Sequence, residues 1–474
     1  MLKDLFKGSA IYGIAPFVPR IVSVFLLPVL TRYLTSTDYG IIGTITSIAF
    51  AVQALQDLGL RVIMTNCFYK SRTQYKIIWR EIYGFLSIWM ILYAVILSTL
   101  LFFFIPDEAA NNRWLIIFLT NFSTVCFGPT AIVGQSYYQL NLQPFPVAWR
   151  IVLSGIISLL TNFVCVVVLR WGYMGAYVGT FAGAFITNMT YWPVVNRKLG
   201  LSPIYNFKWK TIIRSLKVTL PTVPHYYSGF MMNSSNVVAM NYYGKPQSQI
   251  GHLTMAQSFS NMFETILNAI NQVWSPMSYQ FIRDNNQAEM KRILYTFILM
   301  AYGVTFLYSL WSREIYDILI SNDEIATKYK YSIILVMALN YRPMYVYCIN
   351  YFFYHEHTIQ MLGITFMAGI VSFVFYFLMI PYIGVYAAVI GFYLGCLFLG
   401  YSGYFYRLYH EKTIYNVRWY LIITIQLLLT LIVYYCVDFS ILIKIVISLI
   451  YISVLGVIVI AKVKNDIVKA LQRI

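Results

Sequence analysis

Four arginines stand inside hydrophobic stretches of this chain, where a charge at the centre of a membrane helix costs roughly 2.5–3.5 kcal/mol. They are Arg20, Arg61, Arg150 and Arg342. Arg61 follows Asp57 by one helical turn, a spacing that favours an ion pair, so a structural role is as well supported there as a functional one. Arg150 stands one turn from the end of its stretch and is predicted to extend its side chain to the interface. Arg20 and Arg342 have no acidic neighbour in their own stretch, so they favour a functional, water-filled cavity.

A second feature is a row of amide and acid side chains with helical spacing around Glu264. The row consists of Gln257, Asn261, Glu264, Asn268 and Gln272. A helix with one polar face at bilayer depth lines a water-filled cavity, while hydrogen bonds between helices are the alternative for the asparagines. Gln53, Asp57 and Arg61 repeat the spacing earlier in the chain. Glu264 and Asp57 are therefore the candidate ion-coupling residues, together with Asn268 and Gln272.

Two similar segments, "PFVPR" at 16–20 and "PTVPH" at 221–225, place prolines and a cation inside long apolar stretches. Proline removes a helical hydrogen bond and lets a helix bend, so these residues are either gates or fixed kinks. The prolines are Pro16, Pro19, Pro221 and Pro224. His225 replaces arginine in the second segment, and histidine is a titratable cation. The adjacent Tyr226 and Tyr227 are candidates for stacking on sugars, as are Tyr345 and Tyr347.

Sequence signatures of catalysis are missing, so the prediction is a protein that is not an enzyme and has no cofactor or metal. The chain has no G-x-S-x-G, P-loop or H-E-x-x-H pattern. The acidic pairs Asp107-Glu108 and Asp323-Glu324 are interpreted as solvated ends of outer loops. The six cysteines fall in or beside apolar stretches without metal-ligand spacing.

The elements that position these residues follow from composition. Of 474 residues 59% are hydrophobic and 11% charged, and the mean hydropathy is +0.67. Lipid is the solvent for such a chain, and continuous apolar runs of about 20 residues cross it as helices. We predict an all-α polytopic membrane protein whose fourteen spans are 9–30, 40–66, 82–105, 113–139, 147–170, 174–195, 217–242, 249–279, 291–319, 326–353, 358–380, 384–406, 418–437 and 441–461.

Basic residues give the orientation of these spans. With the N-terminus inside, the cytoplasmic segments hold 22 lysines and arginines and the outer segments 8. This bias predicts that both termini are cytoplasmic. The net charge of +17 then reflects anchoring at the inner leaflet rather than nucleic-acid binding.

An internal duplication divides the chain. Besides the two proline segments, "YMGAY" at 173–177 matches "YIGVY" at 382–386, and Pro129 matches Pro343 at a similar offset. We predict two six-helix lobes related by an axis along the membrane normal, with a substrate site where they meet. The predicted parts are an N-lobe at 1–196, a cytoplasmic basic linker at 197–216, a C-lobe at 217–410, and two further helices with a basic tail at 411–474.

The N-terminal stretch resembles a known family. It reads "GSAIYGIAPFVPRIVSVFLLPVLTRYLTSTDYGIIGTITSI", in which an apolar helix ends Pro-x-x-Thr-Arg-Tyr-Leu and Asp-Tyr-Gly opens the next. It resembles the opening of the Wzx-type polysaccharide flippases, in the multidrug/oligosaccharidyl-lipid/polysaccharide exporter superfamily, and implies their MATE-like fold. These proteins move undecaprenyl-pyrophosphate-linked oligosaccharide repeat units to the outer leaflet of the bacterial cytoplasmic membrane, for O-antigen lipopolysaccharide, capsule or exopolysaccharide.

The resemblance implies roles for the residues above. Arg20, Arg61, Arg342 and His225 are expected to bind the pyrophosphate in a cationic cavity, because arginine contacts such anions in bidentate geometry. A proton or sodium gradient is expected to drive alternating access. The implied partners are the lipid-linked oligosaccharide, the bilayer, and the polysaccharide polymerase and chain-length machinery, with no nucleic acid.

Three alternatives remain open. A lipid II flippase would share the fold and the cationic cavity. A multidrug or cation antiporter would share the fold, but three unbalanced arginines suit an organic cation badly. A membrane oligosaccharide polymerase belongs to another class, and the short outer loops and missing motifs argue against it.

Overall fold

A computed structural model describes residues 17–70, 74–220, 223–355, 357–406 and 419–471 of the chain. All regular structure in these ranges is helical. The helices of the first half are α1 (Phe17–Tyr33), α2 (Ser36–Gln53), α3 (Leu60–Lys70), α4 (Tyr75–Phe104), α5 (Arg113–Leu140), α6 (Phe145–Phe163), α7 (Tyr173–Pro193) and α8 (Trp209–Thr219). The remaining helices are α9 (Val223–Asn233), α10 (Ser235–Tyr242), α11 (Gln247–Arg283), α12 (Gln287–Leu310), α13 (Ser312–Leu319), α14 (Asp323–Ala326), α15 (Tyr329–Ala338), α16 (Arg342–Tyr354), α17 (Thr358–Ile383), α18 (Val385–Tyr401), α19 (Trp419–Cys436) and α20 (Ile441–Leu471).

Each of the fourteen predicted spans overlaps one or more helices in the part of the chain that the structure describes. Eight described helical segments are long and apolar enough to cross a membrane, and two shorter apolar helices lie at Val22–Tyr33 and Ile441–Val457. Four predicted spans are interrupted in the described residues, between α2 and α3, α9 and α10, α12 and α13, and α15 and α16. The all-helical prediction is confirmed, whereas hydropathy alone did not locate the interruptions.

Contacts within the chain divide it into two compact units. The first unit comprises Met1–Met255, Leu319–Ile325 and Thr365–Gly391, and the second comprises Ala256–Ile318, Ala326–Ile364 and Phe392–Ile474. The predicted lobe boundaries follow sequence duplication rather than contacts, and they stay a prediction. The predicted linker belongs to the first unit.

The Asp-Tyr-Gly motif fixes the start of α2. Asp38 and Thr35 form a reciprocal cap, in which the Asp38 N–H donates to Thr35 Oγ1 at 3.1 Å and the Thr35 N–H donates to Asp38 Oδ2 at 2.8 Å. The second carboxylate oxygen accepts the N–H of Tyr173 at 3.1 Å, which ties the start of α7 to the start of α2. Because two helix starts share one carboxylate, the motif residue is structural.

The two turns that the sequence matched share a backbone geometry, but at a register three residues away from the sequence match. The glycine that precedes α7 and has positive φ is Gly172, at +53°, and its counterpart before α18 is Gly384, at +56°. Gly175, which the "YMGAY" match paired with Gly384, lies inside α7. Positive φ favours glycine, so the turn geometry identifies equivalent residues more reliably than the flanking tyrosines do.

Helices α2 and α11 pack at backbone contact within the first unit. A Cβ at Gly251 would stand 1.8 Å from the carbonyl oxygen of Ser36, and one at Gly40 would stand 1.9 Å from that of Gln247. The Asn241 side chain and the buried Gln247 side chain hydrogen-bond each other at 2.8 Å beside this contact. Only glycine allows such an approach, as in other close helix pairs in membranes.

Residues 319–325 close over the ends of these helices. The Ser321 hydroxyl donates to a carbonyl oxygen of α1 at 2.8 Å. Glu324 accepts a hydrogen bond from Ser36 at 2.7 Å, and its other carboxylate oxygen lies 3.2 Å from His252 Nε2. Glu324 is therefore a contact between elements, and its interpretation as only a solvated loop acid is wrong.

The second unit holds a buried lysine that the charge count had assigned to an outer loop. Lys444, at the start of α20, is fully buried and donates to both carboxylate oxygens of Glu314 at 2.7 and 2.9 Å. A nearby exposed pair joins Lys330 to Asp438 at 2.6 Å, in the turn before α20. Although burial acts in the opposite direction, the hydrogen bond from Lys330 helps to hold the pKa of Asp438 below its ordinary value of 3.8.

Candidate functional site

The site in the first unit is built on the break between α2 and α3. The sequence predicted one span over 40–66, but α2 ends at Gln53 and α3 begins at Leu60. Leu58 and Gly59 have φ of +49° and +71°, and the left-handed conformation costs a non-glycine residue roughly 1–2 kcal/mol. Asp57 stabilises the turn, since its Oδ1 accepts the Gly59 N–H at 3.0 Å. The break exposes the positive end of the α3 dipole inside the span, which is how membrane transporters build anion sites.

Arg61 lies in the first turn of α3 and is held from two sides. Its Nε donates to Asp57 Oδ2 at 2.9 Å, and its Nη1 donates to Gln135 Oε1 of α5 at 3.2 Å. The Nη2 group donates to no residue in the part of the chain that the structure describes. With 42% of its side chain exposed, Arg61 keeps one pair of N–H donors available to an anion.

A cavity of about 240 Å³ opens beside this pair. Its polar walls come from Gln53, Gln56 and the Asp57–Arg61 pair, and Tyr226 and Tyr227 of α9 stand among its aromatic walls. Small-molecule sites usually measure about 300–1,000 Å³. This cavity is therefore suited to one part of a larger substrate, such as a diphosphate group or one sugar ring.

The second unit contains a similar pair. Arg342 Nη2 donates to Glu264 Oε1 at 2.7 Å, and these side chains are 19% and 24% exposed. Arg342 is the first residue of α16 and follows the 3-10 turn Leu339–Tyr341. Its Nε is buried without a hydrogen-bond partner among the described atoms.

Both arginines thus stand in the first turn of a helix that resumes after an interruption. A cation there is unfavourable against the helix dipole, and each carboxylate compensates for it. The sequence argument against an organic cation as substrate assumed that Arg61 and Arg342 have no acidic partner. That assumption is wrong, because each arginine forms an ion pair. Glu264 is 78 residues from Arg342, so only the fold brings them together.

The other predicted site residues lie in different surroundings, and some lie outside the described part of the chain. Asn268 is exposed on α11, and the Arg20 side chain is exposed on α1 and has its own interactions. Pro19 packs onto Gly155 of α6, where an added Cβ would stand 2.3 Å from its ring. Pro19 lies in α1 and Pro224 lies in α9. Four predicted residues lie outside the described part of the chain, Pro16 and Pro221 entirely and His225 and Gln272 in their side chains. The site roles stay predictions.

Arg150 does not extend to the interface. Its side chain is buried, its Nε donates to Thr190 Oγ1 at 3.0 Å, and it contacts a carbonyl oxygen of α6. The rings of Trp149 and Tyr191 lie 4.6 and 4.3 Å from the guanidinium carbon. Arg150 is therefore a structural cation in an aromatic cage.

Gln56 and Gln135 complete the first site, and the sequence argument missed both. Gln135 lies on another helix, 74 residues from Arg61, and stands outside any recognised polar row. The one signal for the break was Asp-Leu-Gly at 57–59, in which an acid that can bond its own backbone precedes a glycine.

Comparisons with known proteins agree with this architecture. Residues 5–282 match the family described as "Polysaccharide biosynthesis protein". No curated protein matches the sequence. Among solved structures, the lipid II flippase MurJ in an inward closed conformation is similar, with a TM-score of 0.72 and 16% identity over 95% of this chain and 99% of MurJ.

Two further structures share the fold. An inward-facing multidrug resistance MATE family transporter of the MOP superfamily has a TM-score of 0.59 and 12% identity, over 88% of this chain and 95% of that one. An MOP superfamily transporter from Pyrococcus furiosus has a TM-score of 0.56 and 13% identity, over 86% and 94% of the two chains. The fold is thus that of the MOP superfamily, in a multi-pass membrane protein.

Proposed function

The chain belongs to the polysaccharide biosynthesis protein family, and on that premise we propose that it flips undecaprenyl-pyrophosphate-linked oligosaccharide repeat units to the outer leaflet of the bacterial cytoplasmic membrane. The observation that carries this proposal is the interrupted helix at Asp57–Arg61. It combines a helix dipole, a guanidinium with free donors and a cavity with tyrosine walls. A pyrophosphate is a multiply charged anion, and guanidinium groups bind such anions in bidentate fashion.

The ion pairs suggest how binding is coupled to an ion. An incoming pyrophosphate competes with Asp57 for Arg61, because both are anions that accept from the same donors. A carboxylate released from its arginine in a partly buried site needs another cation, which a proton or a sodium ion supplies. Glu264 and Arg342 repeat this arrangement in the second unit. The gradient that drives transport would then act on the carboxylates.

The lipid tail of the substrate has a suitable surface in the second unit. A groove of about 580 Å³ lies among α12, α19 and α20. Its walls are apolar and aromatic side chains, with Ile298, Phe306, Leu429 and Leu455 among them. A polyprenyl chain is apolar along its length and packs on such walls through dispersion contacts.

The MurJ likeness makes lipid II the second candidate substrate, since it is also carried on a lipid pyrophosphate. The paired arginines keep a cation antiporter open as a third candidate. The decisive experiment depletes the protein in its host and analyses lipid-linked sugars by leaflet. Single repeat units trapped on the inner leaflet support the proposal, whereas trapped lipid II supports the second candidate. An unchanged pool of both favours the antiporter, and unpolymerised units on the outer leaflet indicate a polymerase.

The site itself is tested with Arg61→Gln and its exposed control Arg197→Gln. We expect Arg61→Gln to lower export of repeat units by at least about tenfold, because one charged hydrogen bond to phosphate contributes about 1.5–3 kcal/mol. The control should leave export unchanged. Equal export from both variants at equal membrane abundance would remove Arg61 from the substrate site.

A further inference from the structure

The segment that joins the predicted lobes is not a free tether. The Ile204 N–H donates to the Arg80 carbonyl oxygen at 3.0 Å, and Arg80 Nε donates to the Ser202 carbonyl oxygen at 2.8 Å. A Cβ at Gly84 would stand 2.0 Å from the Ile204 carbonyl oxygen, so the segment lies directly on α4. These contacts fix the position of α8, which follows.

Helix α8 has three distinct faces. Ile212, Ser215 and Thr219 are buried, and α8 packs on α3 and α4. Lys210, Arg214 and Lys217 form an exposed basic row, since their spacing is one helical turn. Trp209, Ile213 and the following Leu220 form an exposed apolar face, while the exposed Val218 lies on the opposite side, in the wall of a pocket. A helix with an apolar face and a basic face lies in the membrane interface.

A pocket of about 410 Å³ lies between α8, α3 and the start of α4. Lys70 of α3 and Arg214 of α8 supply its charge, and Asn66 and Thr211 add polar groups. Neither Lys70 nor Arg214 forms an ion pair with any acid in the described ranges. Glu81 lies on α4, as does the pocket-lining Ile78, but the Glu81 side chain is buried. Two cations without an ion-pair partner, in a pocket that also has apolar walls at Ile63, Ile78 and Val218, favour an anionic ligand with a hydrophobic body.

We propose that this pocket binds the phosphate of an anionic membrane lipid. The basic residues gather at the end of the unit that the charge bias assigns to the cytoplasm, so the ligand is a lipid of the inner leaflet. Lys70 and Arg214 contact the phosphate, Asn66 and Thr211 offer hydrogen bonds, and the glycerol or prenyl carbons lie against Ile63. The site is separate from the Arg61 cavity, so it does not depend on the proposed function.

Lipid phosphate has two sources at this surface, a glycerophospholipid headgroup and a polyprenyl phosphate. The test uses purified full-length protein in a neutral detergent and titrates phosphatidylglycerol, phosphatidylcholine and undecaprenyl phosphate separately. Native mass spectrometry counts the lipids bound. The variant is Lys70→Gln/Arg214→Gln, and the matched control is Lys198→Gln/Lys208→Gln, which removes two exposed cations outside the pocket.

The pocket variant should bind its lipid about 30-fold more weakly than the wild type. Each of the two cations contributes about 1 kcal/mol to binding, and about 1.4 kcal/mol corresponds to a tenfold change in the dissociation constant. The control should change binding by less than about threefold. Weakened phosphatidylglycerol binding assigns a glycerophospholipid, and weakened undecaprenyl phosphate binding assigns the polyprenyl source. A charge-preserving variant, Lys70→Arg/Arg214→Lys, should keep the binding and shows that the fold tolerates change there. Equal weakening by pocket variant and control, or no weakening of either anionic lipid, overturns the proposal.

Discussion

Replacing Glu264 by glutamine isolates the contribution of the ion pair in the second unit. The change removes the carboxylate that accepts from Arg342 at 2.7 Å and keeps the side-chain volume. Breaking a fully buried pair by removing one partner costs about 3–5 kcal/mol. Because these side chains are 24% and 19% exposed, water compensates in part, and we expect a loss of about 2–3 kcal/mol.

At about 2–4 °C for each kcal/mol in a domain of 150–250 residues, this loss lowers the Tm by about 4–12 °C. Arg342→Gln should have a similar effect, because it leaves the carboxylate unpaired. The double variant Glu264→Gln/Arg342→Gln should recover most of the loss, since neither charge remains. Transport should fail in all three variants if the pair exchanges partners during the cycle.

The assay combines thermal unfolding in detergent with export of surface polysaccharide in cells. A thiol-reactive dye reports unfolding through Cys348 and Cys396, which are both buried. The control is Glu289→Gln, which removes an exposed pair with Arg292 at 3.5 Å and should cost at most about 1 kcal/mol. Recovery of both stability and export in the double variant would show that the pair is structural only. An unchanged Tm in Glu264→Gln would refute the ion pair itself.

Three further predictions follow from contacts elsewhere. Gly251→Ala should abolish export and lower the Tm, because its Cβ would stand 1.8 Å from a carbonyl oxygen of α2, whereas Gly229→Ala, with open space around it, should affect neither. Lys444→Met should lower stability by about 3 kcal/mol in a thermal unfolding assay, and adding Glu314→Gln should recover most of it, because the lone carboxylate is the source of the loss. The pKa of Asp438 is lowered below 3.8 in the folded protein. The ion pair of Asp438 with Lys330 therefore stabilises the fold above pH 3.8, and this stabilisation is lost as the pH falls through the folded pKa. Unfolding measured from pH 6 to 2 should show the loss of stability, and Asp438→Asn should remove this part of the pH dependence.

Hydropathy predicted the helical spans well because lipid offers the backbone no other way to satisfy its hydrogen bonds. The breaks within spans were missed for the same reason, since the residues on both sides remain apolar. At the first break the polar residues are Gln53, Gln56, Asp57 and Arg61, which a continuous helix would also explain as a stripe. The positive φ of Leu58 distinguishes a broken helix from a continuous one. A leucine in the sequence gives no indication of positive φ.

The sequence also did not show which residues of distant helices contact each other. The sequence identified Arg342 and Glu264 separately, one as an anion site and the other as an ion-coupling residue. Their contact at 2.7 Å joins the two residues in one ion pair, so under the proposed function an anion that binds the arginine would compete with the carboxylate. No periodicity within either helix contains this information, since it depends on how α11 and α16 pack.

The family motif and the candidate site involve different residues, and this separation bears on specificity. Asp38 caps one helix and anchors another, and Gly40 allows backbone contact with α11. These roles depend on the fold and are independent of the sugar. Arg61 and Tyr227 lie outside the motif, at a cavity that is open to a ligand. A family member that keeps the motif and changes the cavity should therefore keep the fold and carry a different substrate, so substrate specificity should be sought around the break between α2 and α3.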